Sequence, residues 1–307
     1  MTSLNVYESH RVLRIARPGR LQRWLGPALR GLTGGRLRAH ACRLPVIDQI
    51  TKQKYCKGCT QSIDCQYGET YEPDPPKGVT LQAGWDSTAR PLVLSPQFPL
   101  PEYPPPGFEF GITLTLVGNM VKHAKDVWEA LRIGGADLGL GLGEDHVLFD
   151  VLPGEFERQT TMRLPPPQTA TETVPHVEIE FTSPLFLTKS ESDRKVPVLQ
   201  PTFAELMRAG LRMFGPICRL YGEALPDHYF GAVKQAAEGV RTLSTAFEKF
   251  EQGKWSNRTK ERFTLVGIAG RAVYGPVPQW MLPWLTWAGR LHVGTHRVAG
   301  AGGWRIR

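Results

Sequence analysis

The chain's 307 residues suffice for two domains of roughly 150 residues each, and 41% hydrophobic with 21% charged residues excludes a disordered polyelectrolyte. The formal charge is +8, from 37 Lys and Arg against 29 Asp and Glu. No uncharged apolar run reaches the ~18 residues of a membrane span, the opening MTSLNVYESHRV lacks an apolar secretory core, and five cysteines are not a disulfide scaffold at this length, so a cytoplasmic protein without a membrane partner is expected.

Leu4–Ile15 alternates and reads as a first strand. Leu21–Ala41 follows with apolar residues at Leu21, Trp24, Leu25, Ala28, Leu29, Leu32 and Leu37, a helical spacing interrupted by Gly31, Gly34 and Gly35. Residues 42–106 hold four cysteines and many prolines and read as a long irregular insertion. Phe108–Val117 is then a strand, Val121–Ile133 a helix, and His146–Val151 a strand after a glycine run. This order is α+β with an antiparallel sheet. The stretch MRLPPPQTATETVP reads as a linker.

The second half repeats the scheme. His176–Leu187 is a strand with a turn and Thr202–Tyr221 a helix; Asp227 caps a helix running through Phe250. Phe263–Tyr274 reads as a strand and Trp280–Trp287 as an apolar helix, and the chain closes with a glycine-rich loop and the short strand WRIR.

The positive charge is uneven. Residues 11–43 carry Arg11, Arg14, Arg17, Arg20, Arg23, Arg30, Arg36, Arg38 and Arg43 without one acid, and Arg290–Arg307 is also acid-free. Such a block needs a polyanion or a bilayer to neutralise it, and the guanidinium fork suits phosphate.

Several ordered motifs carry a resemblance. Toward the C-terminus stand Ser256-Asn257-Arg258, Gly267-Ile268-Ala269-Gly270 with Tyr274, Leu291-His292-Val293-Gly294-Thr295, and Gly300-Ala301-Gly302-Gly303-Trp304. Toward the N-terminus stand Leu29-Arg30-Gly31, Cys42, Cys56-x-x-Cys59, Cys65-x-Tyr67, the Glu72–Pro76 patch and the Gly139–Gly143 run. In this order they resemble the CRISPR repeat-processing endoribonucleases of the RAMP superfamily. Arginine-rich members linked to type IV CRISPR systems are similar in their basic helix. Two departures matter: Thr295 stands where the family usually has lysine, and Gly35 where it often has a histidine, so the family's catalytic assignment does not carry across unchanged.

The resemblance implies two tandem ferredoxin-like (RRM-like) domains with antiparallel sheets: residues 1–165 with the insertion at about 42–106, a linker at 166–175, and residues 176–307. It also implies cleavage of CRISPR precursor RNA within its repeats by the RNA's own 2′-hydroxyl. That reaction leaves a 2′,3′-cyclic phosphate and a 5′-hydroxyl and needs no cofactor. The implied partners are repeat stem-loop RNA, the mature crRNA on which the protein stays, and subunits of a CRISPR effector complex. A non-catalytic RAMP-type subunit that holds guide RNA is the alternative.

Cleavage of this kind needs a proton acceptor, a proton donor and cations at the developing phosphorane. His40, at the end of the arginine helix, is the histidine placed for proton transfer, with a group of the RNA as the other candidate base. Arg23 and Arg38 are the phosphate clamps. RNA contacts are expected from Arg30, from the loop residues His292, Gly294, Thr295, His296, Arg297, Gly300 and Gly302, and from a basic track of Arg241, Lys254, Arg258 and Lys260. Cys42, Cys56, Cys59 and Cys65 form either a structural zinc site or a set of reduced thiols packing a loop, and Cys218 reads as core.

Overall fold

The computed structural model describes the chain apart from residues 43–58, 60–63, 75–88, 142–145, 155, 170–171, 193 and 257–260 and the side chains of residues 255 and 256. Two units emerge. One comprises Asn5–Pro96 and Leu100–Thr160; the other comprises Met1–Leu4, Gln97–Pro99 and Thr161–Arg307.

The N-terminal unit begins with β1 (Thr2–Arg17) and α1 (Gly26–Ala41). A short α2 (Gln66–Tyr71), β2 (Leu92–Pro96) and β3 (Glu109–Val117) follow. A 3-10 turn at Gly118–His123 leads into α3 (Ala124–Asp137), then β4 (Leu148–Val151) and β5 (Phe156–Leu164). The strand order is β2-β3-β1-β4, antiparallel throughout, with β5 also paired to β1. This is the ferredoxin-like arrangement: β1 and β3 sit at the centre, and each helix crosses one face between strands. Leu13 pairs with Phe110, and both are buried on the face that carries the helices. On that face the Trp128 indole of α3 donates to the Ser9 hydroxyl, 3.2 Å away. A Cβ at Gly134 would stand 2.8 Å from Leu32, so glycine is what lets α3 pass close to α1.

The second unit carries β6 (Thr173–Val174), β7 (Val177–Leu185), the hairpin β8 (Thr188–Glu191) and β9 (Arg194–Pro197), α4 (Phe203–Tyr221) and α5 (Asp227–Glu238). Then come β10 (Arg241–Ser256), β11 (Glu261–Gly275), β12 (Val277–Pro278), α6 (Met281–Leu291), a 3-10 turn at Arg297–Ala299 and β13 (Trp304–Ile306). The sheet order β10-β11-β7-β13 reproduces that of the first unit strand for strand. Thr202 and Glu205 form a reciprocal capping box that starts α4. The core gathers Phe203, Phe214, Tyr274 and Trp284; the Tyr274 hydroxyl donates to the Pro201 carbonyl at 2.8 Å. Cys218 is fully buried there, and burial pushes its thiol up to about 12.

Three readings of the sequence are corrected. The first helix begins at Gly26, not Leu21, because Pro27 fits only its first turn; Leu21, Trp24 and Leu25 are buried in the chain that precedes it. The helix from Asp227 ends at Glu238, with Gly239 as its C-cap, and Arg241–Ser256 is a 16-residue strand. Residues 42–106 are not irregular throughout: they contain α2 and the sheet strand β2. In both units sequence patterning missed the edge strand paired to β3 or its counterpart β11; it also passed over β5, whose last residues, Met162–Leu164, were read as linker. None of the described helices is long and apolar enough to cross a membrane.

Candidate nucleic-acid interface

The arginines that crowd residues 11–43 are not acid-free in space. Arg14 pairs with Glu109 at 2.7 Å, Arg20 with Glu102 at 2.6 Å and Arg36 with Asp137 at 3.1 Å, while Arg17 donates to the His146 carbonyl at 2.8 Å. The C-terminal block is treated likewise: Arg305 and Arg307 both donate to Glu180, at 2.5 and 2.7 Å, and Arg290 stacks on Trp287 at 4.0 Å. These two hydrogen bonds hold the Glu180 carboxyl well below its ordinary value, at about 2. Sequence-local charge therefore overstated the demand for a polyanion, because strand pairing, helix packing and loop contacts bring acids from distant positions beside these arginines.

Of the candidate catalytic residues, Arg23 is exposed just before α1, where its carbonyl accepts from the Leu100 amide at 3.0 Å. Arg38 and His40 lie in the last turn of α1, with His40 exposed. The Arg38 guanidinium lies over the ring of Tyr67 on α2, 5.9 Å from its centroid. Arg30, two turns earlier on α1 and so roughly 12 Å away along the axis, lies near Tyr67, Tyr71 and Arg90. Burial, reinforced by the charge of Arg90, lowers the pKa of Arg30. The structure thus brings Arg30 and Arg38 together along one side of α2 and leaves Arg23 and His40 toward solvent.

The C-terminal glycine loop is closed over the end of β7. Gly302 donates to the Pro184 carbonyl at 2.9 Å and Thr295 to that of Phe186 at 3.0 Å, while Val293 donates to Gly302 at 3.1 Å. Gly294, Gly300 and Gly302 have φ of +79°, +76° and +74°. A Cβ at Gly302 would fall 2.0 Å from the Val293 carbonyl oxygen. His292 is buried; its ring bonds to the Ala301 carbonyl at 3.2 Å and packs against Gly303. Gly294 and Thr295 are exposed at the crest, and His296 meets Phe186 edge-on. His292 and His296 are non-glycine residues with φ near +60°, which marks a loop held in shape by its surroundings.

The basic track is reorganised by the strand at 241–256. Arg241 opens β10 and Lys254 lies near its far end, over Phe263 at 5.5 Å. They lie twelve intervening strand residues, or roughly 40 Å, apart, so they do not form one patch. Arg258 and Lys260 lie outside the described residues.

Cys42 caps the end of α1, and Cys65 caps the start of α2, its sulfur accepting from the Gly68 amide at 3.5 Å. Cys59 is half-buried, and Cys56 lies outside the described residues. Among the described residues no group of three or more His, Cys, Asp or Glu could hold a metal.

Sequence reasoning gave no role to Tyr67, Glu69, Arg90 or His123. Glu69 of α2 binds the buried His123 ring and the Lys122 ammonium, the latter at 2.8 Å. Arg90 donates to the Tyr71 carbonyl and to Glu72. Tyr67 was visible only as part of a Cys-x-Tyr motif, and His123 sits in an unremarkable helical stretch.

Two ferredoxin-like units, the second closed by a glycine loop over its first strand, define a RAMP-type fold. Residues 4–168 match the family model AF_1859_N, N-terminal domain, and residues 179–304 match CRISPR-associated endoribonuclease Cas6. The fold is similar to that of a Cas6 product complex, with a TM-score of 0.57 at 13% identity over 100% of both chains. It is also similar to Thermus thermophilus Cas6, with a TM-score of 0.51 at 12% identity over 99% of both chains. No curated protein matches the sequence. The chain thus joins an AF_1859_N N-terminal domain over residues 4–168 to a domain of the CRISPR-associated endoribonuclease Cas6 family over residues 179–304.

Proposed function

We propose that the protein cuts CRISPR precursor RNA within its repeats by attack of the RNA's own 2′-hydroxyl, without a catalytic metal. The products are a 2′,3′-cyclic phosphate and a 5′-hydroxyl, and the mature crRNA stays bound. The observation that carries this reading is the Cas6 match across the glycine loop, joined to an α1 whose end presents Arg38 and His40.

Arg23 and Arg38 neutralise the phosphorane as its charge grows; guanidinium forks do this without proton exchange. His40, or a group of the RNA, accepts the 2′-hydroxyl proton. Thr295 and the backbone of Gly294 bind the RNA at the loop crest, while His292 supports the loop from within. Arg30, His296, Arg297, Arg241 and Lys254 contribute phosphate and shape contacts along a repeat hairpin. We further propose that Cys42, Cys56, Cys59 and Cys65 hold a structural zinc, which elemental analysis of gently purified protein at near-stoichiometric level tests directly.

Single-turnover cleavage by Arg23→Ala, Arg38→Ala and His40→Ala tests the catalytic assignment. At least one is expected to slow cleavage by about a hundredfold, the usual scale for one electrostatic or acid–base group. Full activity in all three would discard the assignment. Thr295 in place of the usual lysine keeps one rival in view, a guide-RNA-holding subunit that binds the repeat without cutting it.

A further inference from the structure

We propose that Arg208, Arg212 and Arg219 on α4 form a phosphate track on the second unit, along which one strand of the RNA backbone lies; the inference rests on the reading above that the protein binds repeat RNA. Of the 19 residues of α4 only these three are exposed. The rest of its circumference packs inward, from Phe203 and Leu206 to Ile217 and Cys218. Spacings of four and seven residues set the three side chains within about 40° of arc, in a row about 16 Å long. Gly215, on the same line between Arg212 and Arg219, has no side chain to interrupt it.

The sequence has no acid between Glu205 and Glu223, and the fold brings none to the row. Among the described residues no carboxylate pairs with any of the three arginines; Arg208 donates through Nε to the Ala204 carbonyl of its own helix at 3.3 Å. Glu205 is taken up by the capping box with Thr202. Arg14, Arg36 and Arg305, by contrast, each meet a carboxylate. The helix dipole favours Arg219, in the last turn, but not Arg208 or Arg212, and like charges one turn apart repel. Solvation alone would be served by any polar side chain, yet each exposed position holds the one whose fork fits phosphate. A row that repels itself and has no acid at hand is matched by a polyanion. Because the helix is buried on either side of it, the row is a low ridge that meets the phosphates of one strand and reads no base edge.

The test is filter binding of labelled repeat RNA over a salt series, with a single 2′-deoxy at the cut position so that the bound RNA stays whole. The variant Arg208→Gln/Arg212→Gln/Arg219→Gln keeps helix propensity. Its slope of log affinity against log salt is expected to be shallower by about two to three, and its affinity at 0.1 M salt lower by about a hundredfold, the scale of three phosphate contacts. Replacing all three by lysine should keep the wild-type slope. Arg271→Gln, which removes an exposed arginine already paired with Glu178 at 3.4 Å, should leave it unchanged as well. If the triple glutamine variant does not fold, Arg208→Gln/Arg212→Gln replaces it, with a slope change of about two. A wild-type slope in the folded glutamine variant would overturn the track and leave the row to another partner, such as an acidic protein surface. An equal loss in the lysine variant would overturn it too, by showing that packing and not charge was removed. Repeat RNA that fails to bind the wild-type protein would overturn the RNA-binding reading itself, and the track with it.

Discussion

Tyr71 lies so close to Gly34 that a methyl group at residue 34 would sit 2.8 Å from its ring. Two effects compete in Gly34→Ala. Helix propensity favours alanine by about 1 kcal/mol, but the buried Tyr71 ring has nowhere to retreat, and overpacking costs about 1–3 kcal/mol. The clash wins: Gly34→Ala is expected to lower the melting temperature and slow cleavage by displacing α2. Gly35→Ala, one residue on and with nothing within 4 Å of its Cβ position, is expected to raise the melting temperature. Thermal unfolding of the pair checks both signs, and equal behaviour would contradict the packing of α2 on α1.

The glycine loop separates backbone from side chain in the same way. Gly302→Ala forces a Cβ into the Val293 carbonyl at a φ of +74°. It is expected to open the loop, lower stability and abolish RNA binding. Thr295→Lys leaves the Thr295 amide bond to Phe186 intact and places an ammonium at the exposed crest. Tighter RNA binding is expected, with the slope of log affinity against log salt steeper by about one. An unchanged slope in filter binding would mean that the crest does not face phosphate.

Much of this was legible in the sequence, for identifiable reasons. Alternation announced β1, β3, β7 and β11, and the apolar spacing from Thr202 to Tyr221 announced α4. β2 was hidden because LVLSP is short and lies among prolines. β10 was hidden because AFEKFEQ carries charges on both faces of an edge strand and mimics an exposed helix. For the candidate site, Arg38 was singled out in the sequence by its place in the basic helix and the loop glycines by motif. Tyr67, Arg90 and His123 were not, because their importance is a matter of what folds against them. The pairing of Arg305 and Arg307 with Glu180 likewise exists only once β13 joins β7.

That pairing has a pH signature. Hydrogen bonds from Arg305 and Arg307 hold the Glu180 carboxyl at about 2 in the folded protein, against 4.5 when unperturbed. A depressed carboxylate stabilises the fold above its unfolded value and loses that contribution as pH falls toward the folded one. Glu180→Gln should therefore melt below wild type above pH 4.5, with the gap closing as pH approaches 2. A gap that stays constant across this range would show that the substitution acts by packing and not by charge.

The central claim is the chemistry, and one experiment meets it most directly. A labelled repeat RNA is incubated with the protein in EDTA beside a copy carrying a single 2′-deoxy at the cut position. The account expects the first to be cleaved to a 2′,3′-cyclic phosphate and the second to be bound but left whole. Cleavage of both, or cleavage only when a divalent metal is restored, would contradict attack by the RNA's own hydroxyl.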